Sequence, residues 1–284
     1  MTQSNDVSSA SLVFDYNTIR RFIGLIAILL PLIVIVAAWG FPGSISASYY
    51  ASTGFPFLPY FPSPRDIFVG ALFVIGAFLM SYKGRQYDDL APENVEIFFR
   101  LLGPTVVRFR IWEHKNEEDI VSWIGGIAAW TVALFPTANG PECAQILLRS
   151  FVPEPMKISQ IVSEIHLSFA AVLFLTTVYF SLVAFKRRLK VKFKERGQEK
   201  PWYADALQWR RFIYNLSGSV TLLLIVALGI FGIILRGVCV IQDQTYWAET
   251  VMLELFGLAW FTASKPFFLR DPSDIEDSNS AQAK

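Results

Sequence analysis

The chain has 284 residues, of which 53% are hydrophobic and only 17% charged, with a mean hydropathy of +0.41. A soluble domain carries roughly 25% charged residues, so this composition cannot cover a globule of its size with polar surface, and it predicts a polytopic membrane protein. The net charge of +1 gives no reason to expect a nucleic-acid partner, and two cysteines with two histidines exclude a disulfide scaffold and a four-ligand structural zinc site.

A hydrocarbon core of about 30 Å is crossed by about 17–25 helical residues. Residues 1–19 read as a flexible tail, and the first span covers Phe22–Phe41. It is too long and too far from the start for a cleavable signal, whose apolar region runs to roughly 7–15 residues. Pro31 predicts a kink unless neighbouring helices satisfy the freed carbonyl. Between Pro42 and Arg65, Pro42, Pro56, Pro59, Pro62 and Pro64 alternate with Tyr49, Tyr50, Phe55, Phe57, Tyr60 and Phe61. Proline bars regular helix and aromatic rings favour the headgroup level. The segment is either an interfacial anchor or a lid over a cavity.

The second span is Ile67–Tyr82, and in the long loop after it Glu93–Leu102 is expected to form a short surface helix. The third span is Ile120–Phe135 and the fourth Ile161–Phe185, with Cys143 between them. Lys186 to Arg196 then places seven basic residues in eleven. Lys186, Arg187, Arg188, Lys190, Lys192 and Lys194 are expected to attract anionic lipid at about 1 kcal/mol per charge, unless they serve orientation alone. Phe212–Leu235 and Tyr246–Ala263 are the last two spans, with Cys239 between them, and the acidic, serine-rich stretch 271–284 is expected to be disordered. Residues 20–270 thus read as one all-α domain, a bundle of six transmembrane helices.

Lysine and arginine fix the orientation. Twenty-one lie in the two tails and the even-numbered loops, against four (Arg65, Arg149, Lys157, Arg236) in the odd-numbered loops. Both termini are therefore expected to be cytoplasmic. Cys143 and Cys239 then share the outer, oxidising side, which makes them a candidate disulfide.

Polar groups inside spans are expensive, and their positions are informative. Ser46, Tyr49 and Tyr50 follow the first span, Arg65 and Asp66 open the second, Glu164 and His166 begin the fourth, and Glu249 begins the sixth, all near the outer level; Glu254 lies deeper. Two residues apart on a helix means about 200°, so Glu164 and His166 cannot share a face. The face of His166 continues through small and hydroxylated residues, Ser163, Ala170, Thr177 and Ser181, of the kind that helix interfaces in lipid prefer. Ser46, Tyr49, Tyr50, Arg65, Asp66, His166 and Glu249 are therefore the expected ligand-binding residues of one outer cavity; a closed ion-pair network that only locks the bundle is the competing reading. No hydrolase elbow, phosphate loop or zinc-protease motif is present. With His114 and His166 on opposite sides, a three-histidine zinc site is excluded, and no metal or cofactor is expected.

Several stretches, Ser44-Ile-Ser-Ala-Ser-Tyr-Tyr50, Arg65-Asp-Ile-Phe-Val-Gly70, Ser81-Tyr-Lys-Gly84, Ala133-Leu-Phe-Pro-Thr137 and Tyr179-Phe-Ser-Leu182, stand in order along the chain with His166, Arg211 to Tyr214, Glu249, Phe256, Gly257 and Trp260. In these the chain resembles a family of uncharacterised six-helix bacterial membrane proteins with a domain of unknown function, distantly similar to the Frag1/DRAM/Sfk1 proteins. The resemblance implies the six-helix fold and a bacterial inner membrane, and supplies no activity. The expected function is non-catalytic binding of a lipid or small amphiphile, with membrane lipids as partners and anionic lipid at the cytoplasmic face. The alternative is a lipid-modifying enzyme with His166 as general base, Glu249 orienting it and Ser46 as nucleophile.

Overall fold

The computed structural model describes residues 16–38, 62–83, 94–99, 105–110, 117–136, 160–189, 205–234 and 241–269. Among them run α1 (Tyr16–Ala38), α2 (Pro64–Ser81), β1 (Asn94–Phe99), β2 (Thr105–Arg110), α3 (Glu117–Leu134), α4 (Gln160–Tyr179), α5 (Ala206–Ile234) and α6 (Ile241–Ala263). α4 continues through a π-helical turn at Phe180–Ala184 and on to Leu189. Among the described residues four stretches, Asn17–Ala38, Pro64–Ser81, Ile161–Leu189 and Ala206–Ile230, are long and apolar enough to cross a membrane. α3 opens on Glu117, Glu118 and Asp119, and α6 carries Glu249 and Glu254, so these two helices are more polar.

Helix starts fall earlier than the expected spans. α1 begins at Tyr16, inside the stretch read as a tail, α5 at Ala206 rather than Phe212, and α6 at Ile241 rather than Tyr246. Hydropathy marks only what suits hydrocarbon, whereas backbone hydrogen bonding carries a helix on into polar turns. The Glu93–Leu102 helix is a correction of kind: Asn94–Phe99 is a strand, antiparallel to Thr105–Arg110, with Asn94 opposite Arg110 and Phe99 opposite Thr105. Both segments are rich in β-branched and aromatic residues, which fit strands better than helices, and Pro104 bars a helix from running through.

Each helix packs against its neighbours in the chain, and α6 returns to α1, closing the six into a ring. Ile23, Ala27, Leu30 and Val34 turn inward from α1, with Phe68, Leu72, Ile75 and Leu79 of α2 and Met252, Phe256 and Trp260 of α6 beside them in one core. Phe22, Leu25, Leu29, Leu32, Ile33 and Val36 on the other face of α1 are exposed, so this helix is apolar all round. The α1–α6 seam is closest at Gly24 and Gly257, where an added Cβ on either would lie 2.6–2.7 Å from the partner's backbone.

Ser63 accepts a hydrogen bond from the Asp66 amide (3.2 Å), while its own amide donates to Asp66 Oδ2 (3.3 Å), a capping box that starts α2 with Pro64 in the first turn. Ser63→Ala should cost about 1 kcal/mol, read as a thermal midpoint lowered by about 2–4 °C. An unchanged midpoint would show that the box contributes nothing.

Candidate functional site

The bundle has two polar ends. At the apical end, where α2, α4 and α6 begin, a cavity of about 40 Å³ is walled by Phe68, Leu72, Val132, Ala170, Leu173, Phe174 and Leu253. Two polar side chains from different helices line it, His166 of α4 and Glu249 of α6. At about 10–15 Å³ per water-sized centre, it has room for a few waters or for part of a small amphiphile. His166 is 3% exposed. Its Nδ1 lies 2.5 Å from the carbonyl oxygen of Phe135. A carbonyl only accepts, so Nδ1 carries the proton, and in the neutral ring Nε2 is the basic nitrogen. Glu164, two residues away, is exposed, in keeping with its opposite face.

The other expected site residues are placed differently. Asp66 also accepts from the Ser63 hydroxyl at 2.8 Å; it is the partner of the α2 cap and does not line the cavity. Arg65 is exposed and is likewise not part of the wall. Ser46, Tyr49, Tyr50, Lys190, Lys192, Lys194, Cys143 and Cys239 lie outside the described residues.

The basal end, where α1, α3 and α5 begin, holds a network that the sequence reading passes over. Glu118, 4% exposed, accepts from Arg188 Nη2 at 2.6 Å. The Tyr82 hydroxyl accepts from Arg188 (2.5 Å) and Arg20 (3.1 Å) and donates to Glu118 (3.4 Å). Both guanidinium groups also stand over the Tyr82 ring, at 5.3 and 6.0 Å from its centroid. Arg20 further donates to the carbonyl of Ala263, and Arg187 pairs with Glu117 at 3.3 Å. Asp205 caps α5 through the Leu207 amide (3.0 Å), and Arg210 donates to the carbonyl of Leu269. Arg187 and Arg188 thus pair with carboxylates at the foot of α3, Arg187 buried and Arg188 partly exposed. The signal was in the sequence: two adjacent acids at the foot of one helix and two adjacent arginines at the foot of the next.

One layer deeper the same helices supply rings. Trp260 packs on Phe180 (5.0 Å), Tyr82 (5.3 Å) and Phe185 (5.4 Å), and Phe185 meets Tyr214 (5.3 Å). Among the described residues no group of histidine, cysteine and carboxylate side chains could hold a metal ion. No family model, curated protein or solved structure matches the chain.

Proposed function

We propose that the chain is a six-span integral membrane protein of a bacterial inner membrane, with both termini cytoplasmic, and that its outer half binds a lipid or small amphiphile without chemistry. The apolar exterior of α1 and the four membrane-length helices support the setting. A single observation carries the binding role: His166 and Glu249 come from separate helices to one apolar cavity. Apolar walls with few convergent polar groups suit an amphiphile, the walls taking its hydrocarbon and the two side chains its polar part. Lys186, Lys190, Lys192 and Lys194 remain proposed contacts for anionic lipid, and Cys143–Cys239 a proposed disulfide.

The test is lipid retained through purification in mild detergent, identified and counted by mass spectrometry. His166→Ala and Glu249→Gln should each lower one retained species about tenfold or more, the loss of a hydrogen bond involving a charged group. Glu164→Gln, on the exposed face, should change nothing. Undiminished lipid in both cavity variants would refute the reading. The fixed tautomer of His166 favours a second reading, a lipid-modifying enzyme in which Nε2 takes a proton. Free fatty acid or lysolipid appearing over time with the parent protein, and not with His166→Ala, would establish it instead.

A further inference from the structure

The basal layer does more than join helices. Glu118 Oε1 and Arg20 Nε are buried and meet no hydrogen-bonding group among the described residues. Among the described residues the Arg20 side chain, 8% exposed, donates only to neutral acceptors, Asn17, Ala263 and Tyr82. The buried guanidinium of Arg20 and the partly exposed one of Arg188 therefore share one phenol, while among the described residues Glu118 pairs only with Arg188. Arg20 and Glu118 both bond to the Tyr82 hydroxyl, so a turn of the carboxylate toward Arg20 would pair a buried charge that has no ionic partner among the described residues.

Buried hydroxyls also lie behind the layer. Thr262 has no partner among the described residues, whereas Thr176 and Thr177 bond back to the carbonyl four residues earlier. Ser181, Ser217 and Thr221 do not: each is fully buried, and its oxygen has no partner among the described residues. Ser181 and Ser217 each lie seven residues, or ~10 Å, deeper than an arginine of their own helix, Arg188 and Arg210. Ser181 falls in the π-helical turn, where the ordinary backbone ladder is re-registered. The α4–α5 seam at this depth is tight, since a Cβ on Gly218 would fall 2.4 Å from Leu182. With the layer closed, any passage along it is narrow.

We propose that the Arg20–Tyr82–Glu118–Arg188 layer is a gate, shown here closed, over a narrow hydroxyl-lined vestibule that admits water and protons from the cytoplasmic face. Transfer of Glu118 from Arg188 to Arg20 is the opening motion. This is independent of the lipid-binding reading, which concerns the opposite end.

The probe is a small cationic methanethiosulfonate applied to vesicles from the face on which Lys83→Cys labels, in a parent carrying Cys143→Ser and Cys239→Ser. Ser181→Cys and Ser217→Cys should label slowly in that parent. Adding Glu118→Gln should speed both about tenfold or more, the population shift that about 1.4 kcal/mol produces, and a maleimide on a long polymer should still fail to react. Where Glu118→Gln does not yield monodisperse protein, Tyr82→Phe replaces it, removing only the shared hydroxyl. Labelling that is equally fast with the layer intact overturns the gate, as does labelling that stays slow in a folded variant.

Discussion

Glu118→Ala should destabilise the protein by about 3 kcal/mol, the lower end of the range for a buried pair, because it leaves the partly exposed Arg188 guanidinium without its carboxylate. For a chain of this size each kcal/mol moves the thermal midpoint by about 2–4 °C, so a fall on the order of 10 °C is expected in detergent. The charge is at fault rather than the volume. Glu118→Leu combined with Arg188→Met, which removes both partners and keeps the space filled, should recover most of the loss. The Arg187–Glu117 pair is longer, at 3.3 Å, but Arg187 is the more deeply buried guanidinium, 6% exposed against 22% for Arg188, so Glu117→Ala should cost a comparable amount. A Glu118→Ala midpoint within about 2 °C of the parent would mean that the pair contributes nothing measurable.

The α1–α6 seam should be as sensitive for a different reason. A Cβ on Gly24 would lie 2.6 Å from the Phe261 amide nitrogen and 2.7 Å from the Gly257 carbonyl oxygen. Backbone atoms cannot swing aside as a side chain can, so the helices must separate. Gly24→Ala should cost about 1–3 kcal/mol, the usual range for overpacking, and Gly24→Leu more. Gly70 in α2 is the control, with nothing within 4 Å of its added Cβ. Gly70→Ala should be neutral or stabilise by about 0.5–1 kcal/mol, since alanine loses less backbone freedom in a helix. Equal effects at the two glycines would mean that the seam is not closely packed.

What was legible in the sequence follows from which forces act locally. Six helices could be counted because a run of apolar residues is a local property, and Glu164 and His166 could be sorted because helical angle is local too. The meeting of His166 with Glu249 was anticipated from depth, which is a coordinate common to all spans. The part played by Asp66 was misjudged, although Ser63-x-x-Asp66 is a capping signature in four residues. The basal network was passed over because the basic residues were weighed only as a topogenic charge or as contacts for anionic lipid. Burial of Arg20 beside Tyr82 depends on α6 closing against α1, and no local pattern announces a ring closure. The hairpin was misread because Glu93–Leu102 was judged alone, whereas a strand is defined by its partner.

That closure also sets a timetable during synthesis. The bond from Arg20 to the Ala263 carbonyl joins residues 243 apart. At about 5–20 residues per second, roughly 10–50 s pass between the emergence of α1 and that of its last neighbour. Through that interval the glycine side of α1 has no helix to meet, and Arg20 lacks one of its acceptors. The nascent chain is then an open crescent with one unpaired flank at each edge, able to accept a stray helix or a second nascent copy. A circular permutant that joins α6 to α1 and opens the ring elsewhere would make this seam early, shifting the exposed flank to whichever pair is made last.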